Sequence, residues 1–223
     1  MSVLAWDEAA QPVEQWQSSR VVLALPLFVA ARIVDSPPAA LQAAVATLAY
    51  APWLVADLHL DRALLDRPAA PPSWNNGAFG AAGLGYVDAM HQSLRQGGGA
   101  TVMTAYHALP THQCAALPTH PCAALLQGSA QTWAERVLTD LAAAHPDLRQ
   151  RVQRIALVRH GHAMAVPRPG VRSSTALAAL RADRGRVRHA HSDQAGYSVF
   201  EEAFTLGHQA AAARQGRGPG PQA

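Results

Sequence analysis

Residues 53–60, WLVADLHL, alternate with a period of two: Leu54, Ala56, Leu58 and Leu60 share one face, Asp57 and His59 the other. Such alternation reads as a strand with one apolar face. ATVMTAYHAL (100–109) reads as another strand. It follows WNNGAFGAAGLGYVDAM and the triplet Gly97–Gly99, so a hairpin or meander is expected. The segments 154–166 and 186–191 add two strands, and VVLALPLFVA (21–30), short, rich in Val and Leu and broken by Pro26, reads as a buried one.

Helical patterns alternate with these strands. Ser36 is placed to cap a helix with Pro37 near its start and ALQAAVATLAY behind it, ended by Pro52. Between Ser129 and Ala144, the residues Trp133, Val137, Leu138 and Leu141 recur at the spacing of one helix face. Pro146 opens another short helix. An Ala/Leu helix follows the PRPG turn, and a last helix runs from about Ser198 to Arg214. Strands in runs, with helices beside them, predict an α+β fold: a mixed sheet with flanking helices.

Composition removes several functions. Among 223 residues all 18 basic side chains are arginine. Without lysine there is no Schiff-base chemistry of the pyridoxal-phosphate kind and no P-loop. Two cysteines make no disulfide framework. The polar, acidic N-terminus is not a signal peptide, and the longest apolar run, Val21 to Ala31, falls short of the ~20 residues that cross a bilayer, so a soluble chain with no membrane partner is expected; its compartment stays open. Residues 1–130 carry five arginines against eight acids, residues 131–223 thirteen against seven. The second half therefore suits an anionic partner, either a phosphate cofactor or nucleic acid. No aromatic residue interleaves with the arginines between Gln150 and Arg188, which argues against nucleic acid.

Candidate sites differ in how specific they are. His160/His162 and His189/His191 have the i, i+2 spacing that puts two ligands on one strand face, with Asp193 as a possible oxygen donor. The tandem LPTHQCAA–LPTHPCAA (109–124) supplies His112, Cys114, His120 and Cys122 as conceivable zinc ligands, but the period of eight with no finger pattern around it reads more naturally as a duplicated surface loop. Gly77, Gly80, Gly83 and Gly85 lack the G-x-G-x-x-G spacing and are read as turn residues. No G-x-S-x-G or H-E-x-x-H motif is present. The segment HAHSDQAGYSVFEEAFTLGHQAAAA has more content: a strand, an acid-bearing turn with Gly196, then a helix whose N-terminus could stabilise negative charge.

That segment resembles the C-terminal flavin-contacting motif of flavin-dependent amine oxidases, and the middle of the chain, from WLVADLHL through GYVDAMHQ to VMTAYHAL, is similar to a bacterial branch of FAD-dependent oxidoreductases. Asp193 resembles the motif's acid, Gly196 and Tyr197 its Gly-Tyr turn, Ala203 its helix alanine, and Gly207 with Ala210 and Ala211 its helix end. VVLALPLF (21–28) resembles the strand where that family's chain passes between its flavin and substrate domains, and GHAMAVPRPG (161–170) the segment before the last flavin motif. The resemblance implies FAD as cofactor, Asp193, Gly196, Tyr197, Ala203 and Gly207 as cofactor-binding residues, a small-molecule substrate, and His162 near the flavin ring; catalytic residues stay unassigned.

It also implies an organisation. Residues 1–30 would be the junction of the two domains, 31–165 substrate-domain-like, 166–214 the last strand and helix of the FAD domain, and 215–223 a disordered tail. The family's Rossmann half, with its G-x-G-x-x-G, has no counterpart in these residues, nor does its active-site lysine, and Glu202 stands where the helix motif has glycine. The chain is thus expected to be a fragment, inactive alone and completed by that half as its partner. A histidine-based metal-binding protein and an arginine-rich anion-binding module are the competing readings.

Overall fold

A computed structural model describes residues 1–9, 11–66, 73–92, 99–109 and 123–212. The chain opens with β1 (Ser2–Trp6), β2 (Pro12–Gln17), β3 (Val21–Leu23), α1 (Leu27–Ile33) and α2 (Ala39–Thr47). β4 (Tyr50–Leu60), β5 (Asn75–Asn76), β6 (Gly85–Asp88) and β7 (Thr101–Ala108) follow. Then come α3 (Ala123–Gln127), α4 (Ala130–Ala142), α5 (Leu148–Arg151), β8 (Val152–Ala165), α6 (Thr175–Ala182), β9 (Val187–His189) and α7 (Phe200–Ala212). The chain divides into two compact units, one of residues 1–49 with 165–223, the other of residues 50–164. Mixed strands with flanking helices make the fold α+β, as the sequence pattern predicts.

The second unit is built on a five-stranded sheet, in the order β5-β6-β7-β4-β8. β4 and β7 run antiparallel from Trp53↔Ala108 to Leu60↔Thr101, and β5-β6-β7 form the expected meander. The period-two pattern of β4 does what it should: Leu54, Ala56, Leu58 and Leu60 are buried against Trp133, Val137 and Leu141 of α4, while Asp57 and His59 stay on the other face. Ser129 caps α4 by accepting the Thr132 N–H at 3.0 Å. Gly85 (φ +120°) closes the β5–β6 turn so tightly that an added Cβ would lie 2.1 Å from the Asn76 oxygen, so the glycine stretch is turn chemistry.

In the first unit α1, α2 and α6 pack around Leu27, Ala30, Leu41, Ala44, Leu177 and Leu180. β3 and β9 pair in parallel, Val21↔Val187 to Leu23↔His189. β1 and β2 form an antiparallel hairpin whose Val3, Leu4, Trp6, Val13 and Trp16 are all exposed.

Four local expectations are corrected. The strand read over 21–30 ends at Leu23, because Pro26, at φ −50° and ψ 138°, caps α1, where a missing N–H costs nothing. Ser36 caps no helix. It sits at φ +52°, and Pro38 occupies the cap of α2 without a side-chain hydrogen bond. α2 ends at Thr47, and Pro52 lies inside β4 rather than stopping a helix. The N-terminus, read only as polar, forms the β1–β2 hairpin.

Candidate functional site

The segment singled out by sequence builds a compact turn between β9 and α7. Ser192–Ala195 form one 3-10 turn, and Gly196, at φ +80° and ψ 10°, closes it by donating its N–H to the Asp193 carbonyl at 3.0 Å. A Cβ on Gly196 would stand 2.5 Å from Val171 Cγ1, so both conformation and space call for glycine. The local signal suffices to put Asp193 and Gly196 between a strand end and a helix, as expected.

Asp193 is fully buried. Its Oδ2 accepts the Leu27 N–H at 2.8 Å, and its Oδ1 lies 3.2 Å from His191 Nδ1, which itself accepts the Asp193 N–H at 3.2 Å. The carboxylate therefore caps the N-terminus of α1, where backbone N–H groups lack helical partners and the dipole favours a negative charge. It ties the carboxyl end of β9 to the chain just beyond β3. No local pattern pairs residues this far apart; only the family resemblance places the 21–30 segment near the C-terminal helix.

The Tyr197 hydroxyl donates to Glu202 Oε1 in the first turn of α7, and this carboxylate pushes the phenol above its ordinary 10.0. The residue that departs from the resembled motif is thus the partner that anchors Tyr197.

At the carboxyl ends of β3 and β9, and reaching back along β3 to Val22, lies an open cleft of about 490 Å³. Val22, Ala24, Ala190 and His191 form one wall, and Ala203, Gly207 and Ala211 of α7 the other. Except for Val22 and His191 the lining is Ala or Gly. A Cβ added to Gly207 would meet nothing within 4 Å, so the space beside that glycine is not used by the unit's own packing. Ala24, Ala190 and His191 follow directly on the carboxyl ends of the two strands, where ligands of open parallel sheets bind. Ala203 and Gly207 are thus brought together with the strand ends, while Asp193 and Gly196 shape the turn behind them. Sequence reasoning missed the lining by Val22 and Ala24, although it had singled out their segment.

The remaining candidates fall elsewhere. His162, on β8, packs edge-on against Tyr50 with ring centroids 5.7 Å apart, and its neighbour His160 is exposed. His189 is buried enough that its imidazole is pushed below its ordinary 6.5. Among the described residues no group of three or more His, Cys, Asp or Glu converges as a metal site would require. His112, Cys114, His120 and Cys122 lie outside the described residues. Among the described residues no helix is long and apolar enough to cross a membrane.

No family model matches the chain, and no curated protein matches it significantly. Solved structures do. A single mutant of putrescine oxidase, from a redesign of cofactor binding in that enzyme, is similar over 92% of this chain at 16% identity with a TM-score of 0.61. Wild-type putrescine oxidase bound to putrescine is similar over 91%, at 16% identity and a TM-score of 0.58. A protein named as a protoporphyrinogen oxidase, from Exiguobacterium sp. 255-15, is similar over 92% at 12% identity and a TM-score of 0.54. The fold over the covered region is the one these oxidases have there. The chain spans 44% of the length of each putrescine oxidase and 42% of the third protein.

Proposed function

We propose that the chain is part of an FAD-dependent oxidoreductase and that the cleft at the ends of β3 and β9 receives the flavin. The observation that carries this reading is the cleft itself: small side chains on two facing walls, unused space beside Gly207, and a position at the ends of paired parallel strands. A planar, extended group fits such a lining. Val22, Ala24 and Ala190 would lie along one side of it and Ala203 and Gly207 along the other, close enough that larger side chains would exclude it. Asp193 and Gly196 act one step back by fixing the β9–α7 turn and the start of α1. Tyr197, held by Glu202, presents a phenol kept protonated near neutral pH.

When bound, FAD supplies the capacity to take a hydride from a small-molecule substrate. The resemblance to flavin amine oxidases and the shared fold with putrescine oxidase point to an amine as that substrate. A further segment with a G-x-G-x-x-G turn, absent from these residues, would hold the pyrophosphate and ribose.

The test is a flavin titration of the purified chain. It should come off the column colourless and bind added FAD weakly, since several charge-assisted contacts at about 1.5–3 kcal/mol each are missing. Gly207→Leu, which fills the cleft from a position with open space, should remove the weak binding. Stoichiometric flavin in the purified chain would refute the need for a second segment. Unchanged FAD binding by the Gly207→Leu variant would refute the cleft.

A further inference from the structure

α6, β9 and α7 enclose a second concavity, of about 240 Å³, that shares no residue with the cleft. Arg181, Arg184 and Arg188 line it together with His189 and Gln194. One carboxylate, Asp183, stands against these three guanidinium groups, and its Oδ1 already accepts the Gly185 N–H at 2.8 Å. Among the described residues none of the three arginines is in an ion pair.

Two of the arginines are tethered through backbone carbonyls. Arg181 Nη1 donates to the Gln194 carbonyl, and Arg184 Nη1 donates to the Arg181 carbonyl at 2.9 Å. A guanidinium carries five N–H donors in a fixed fork, so each tether holds the group in place and leaves donors for a ligand. In the wall beside them, His189 Nδ1 is buried and has no hydrogen-bond partner. A buried polar atom without a partner costs free energy, and so does the mutual repulsion of three cations in one concavity. A bound anion offsets the repulsion.

We propose that this concavity binds a phosphate group, free or esterified. A tetrahedral dianion matches the excess positive charge, and its several acceptor oxygens can engage forks approaching from α6 and β9 at once. This site gives the arginine-rich half of the chain a defined place for an anionic ligand. It does not rest on the flavin reading, because its residues are separate from those of the cleft.

The experiment is isothermal titration of the full chain with inorganic phosphate at constant ionic strength set by sodium chloride. Saturable binding near one equivalent is expected, and Arg188→Gln should weaken it about tenfold or more, the loss of one charge-assisted contact. Adenosine monophosphate in a parallel titration separates the two sources. Competition with phosphate shows that the site accepts esters, and binding of phosphate alone restricts it to the free ion. Circular dichroism checks that the variant folds. Should it not fold, protection of Arg188 by phosphate against phenylglyoxal, mapped by mass spectrometry, gives the same answer on the unaltered chain. Gly207→Leu should leave phosphate binding intact, which keeps this result distinct from the flavin test. Absence of saturable binding, binding undiminished in both Arg188→Gln and Arg181→Gln, or no protection of Arg188 would each overturn the proposal.

Discussion

Replacing Gly196 by alanine attacks the turn behind the candidate flavin cleft in two ways that can be separated. At φ +80° an L-residue pays a left-handed penalty of roughly 1–2 kcal/mol. The new methyl would also stand 2.5 Å from Val171 Cγ1, well inside contact distance, and Val171 is itself buried, so the clash cannot be relieved toward solvent. Forcing an extra methyl into packed surroundings costs about 1–3 kcal/mol. The combined expectation is a loss of roughly 2–5 kcal/mol, large against the ~5–15 kcal/mol that holds a native chain together. Urea denaturation followed by far-ultraviolet circular dichroism measures it. The two parts come apart in a double-mutant cycle with Val171→Ala, which removes the clashing atom: in that background Gly196→Ala should cost only the backbone part. A total loss below about 1 kcal/mol, set against the penalties above, would refute the argument from conformation and space together. An equal cost in both backgrounds would refute the steric half.

Asp193→Ala should strip the buried Leu27 N–H of its charged acceptor at a cost of about 1.5–3 kcal/mol, and hydrogen exchange at the Leu27 amide should accelerate; unchanged protection there would count against the capping role. Gly83→Ala should destabilise the second unit by about 1–3 kcal/mol, because the new Cβ would lie 2.8 Å from both Asp140 Oδ2 and His107 Nε2, whereas Gly80→Asn, at φ +79° with open space around it, should cost less than Gly80→Ala, since Asn tolerates the left-handed region better. Burial pushes His107 below its ordinary 6.5, with the nearby Asp140 carboxylate opposing the shift. The unfolded chain therefore binds the proton more readily, and this contribution to stability is present above pH 6.5 and is lost as pH falls from there toward the depressed folded value. Denaturation of the parent and of His107→Gln between pH 7 and 5 should show a shallower pH slope for the variant, and equal slopes would contradict the assignment.

Much of the fold is legible in the chain because its signals are local. The alternation in β4, the glycines before β7 and around β6, the Ser129 cap and the Trp133–Val137–Leu141 stripe of α4 are written within a few residues of where they act, and each element forms where that pattern puts it. The β9–α7 turn is legible for the same reason: Gly196 is needed at one backbone conformation next to the helix it precedes. Local signals fail where a residue answers to something distant. Pro26 breaks an apolar run that a buried strand would share, and only the helix behind it shows that the run ends at Leu23. The β1–β2 hairpin escapes notice because its apolar side chains are exposed and dispersed among polar ones, leaving no buried face to impose a period.

Hydrophobic period, capping and left-handed turns act over a few residues, so the apolar face of β4, its covering helix and the strand–turn–helix of Asp193, Gly196 and α7 are legible locally. The folded chain alone pairs β3 in parallel with β9, turns the Asp193 carboxylate to the Leu27 N–H 166 residues away, and sets Val22 and Ala24 with Ala203 and Gly207 around one cleft. It also gathers Arg181, Arg184 and Arg188 around one concavity. The reason is physical: a parallel pairing or a buried carboxylate is stabilised by groups far apart in the chain, and no periodicity within either segment records which partner the other will be.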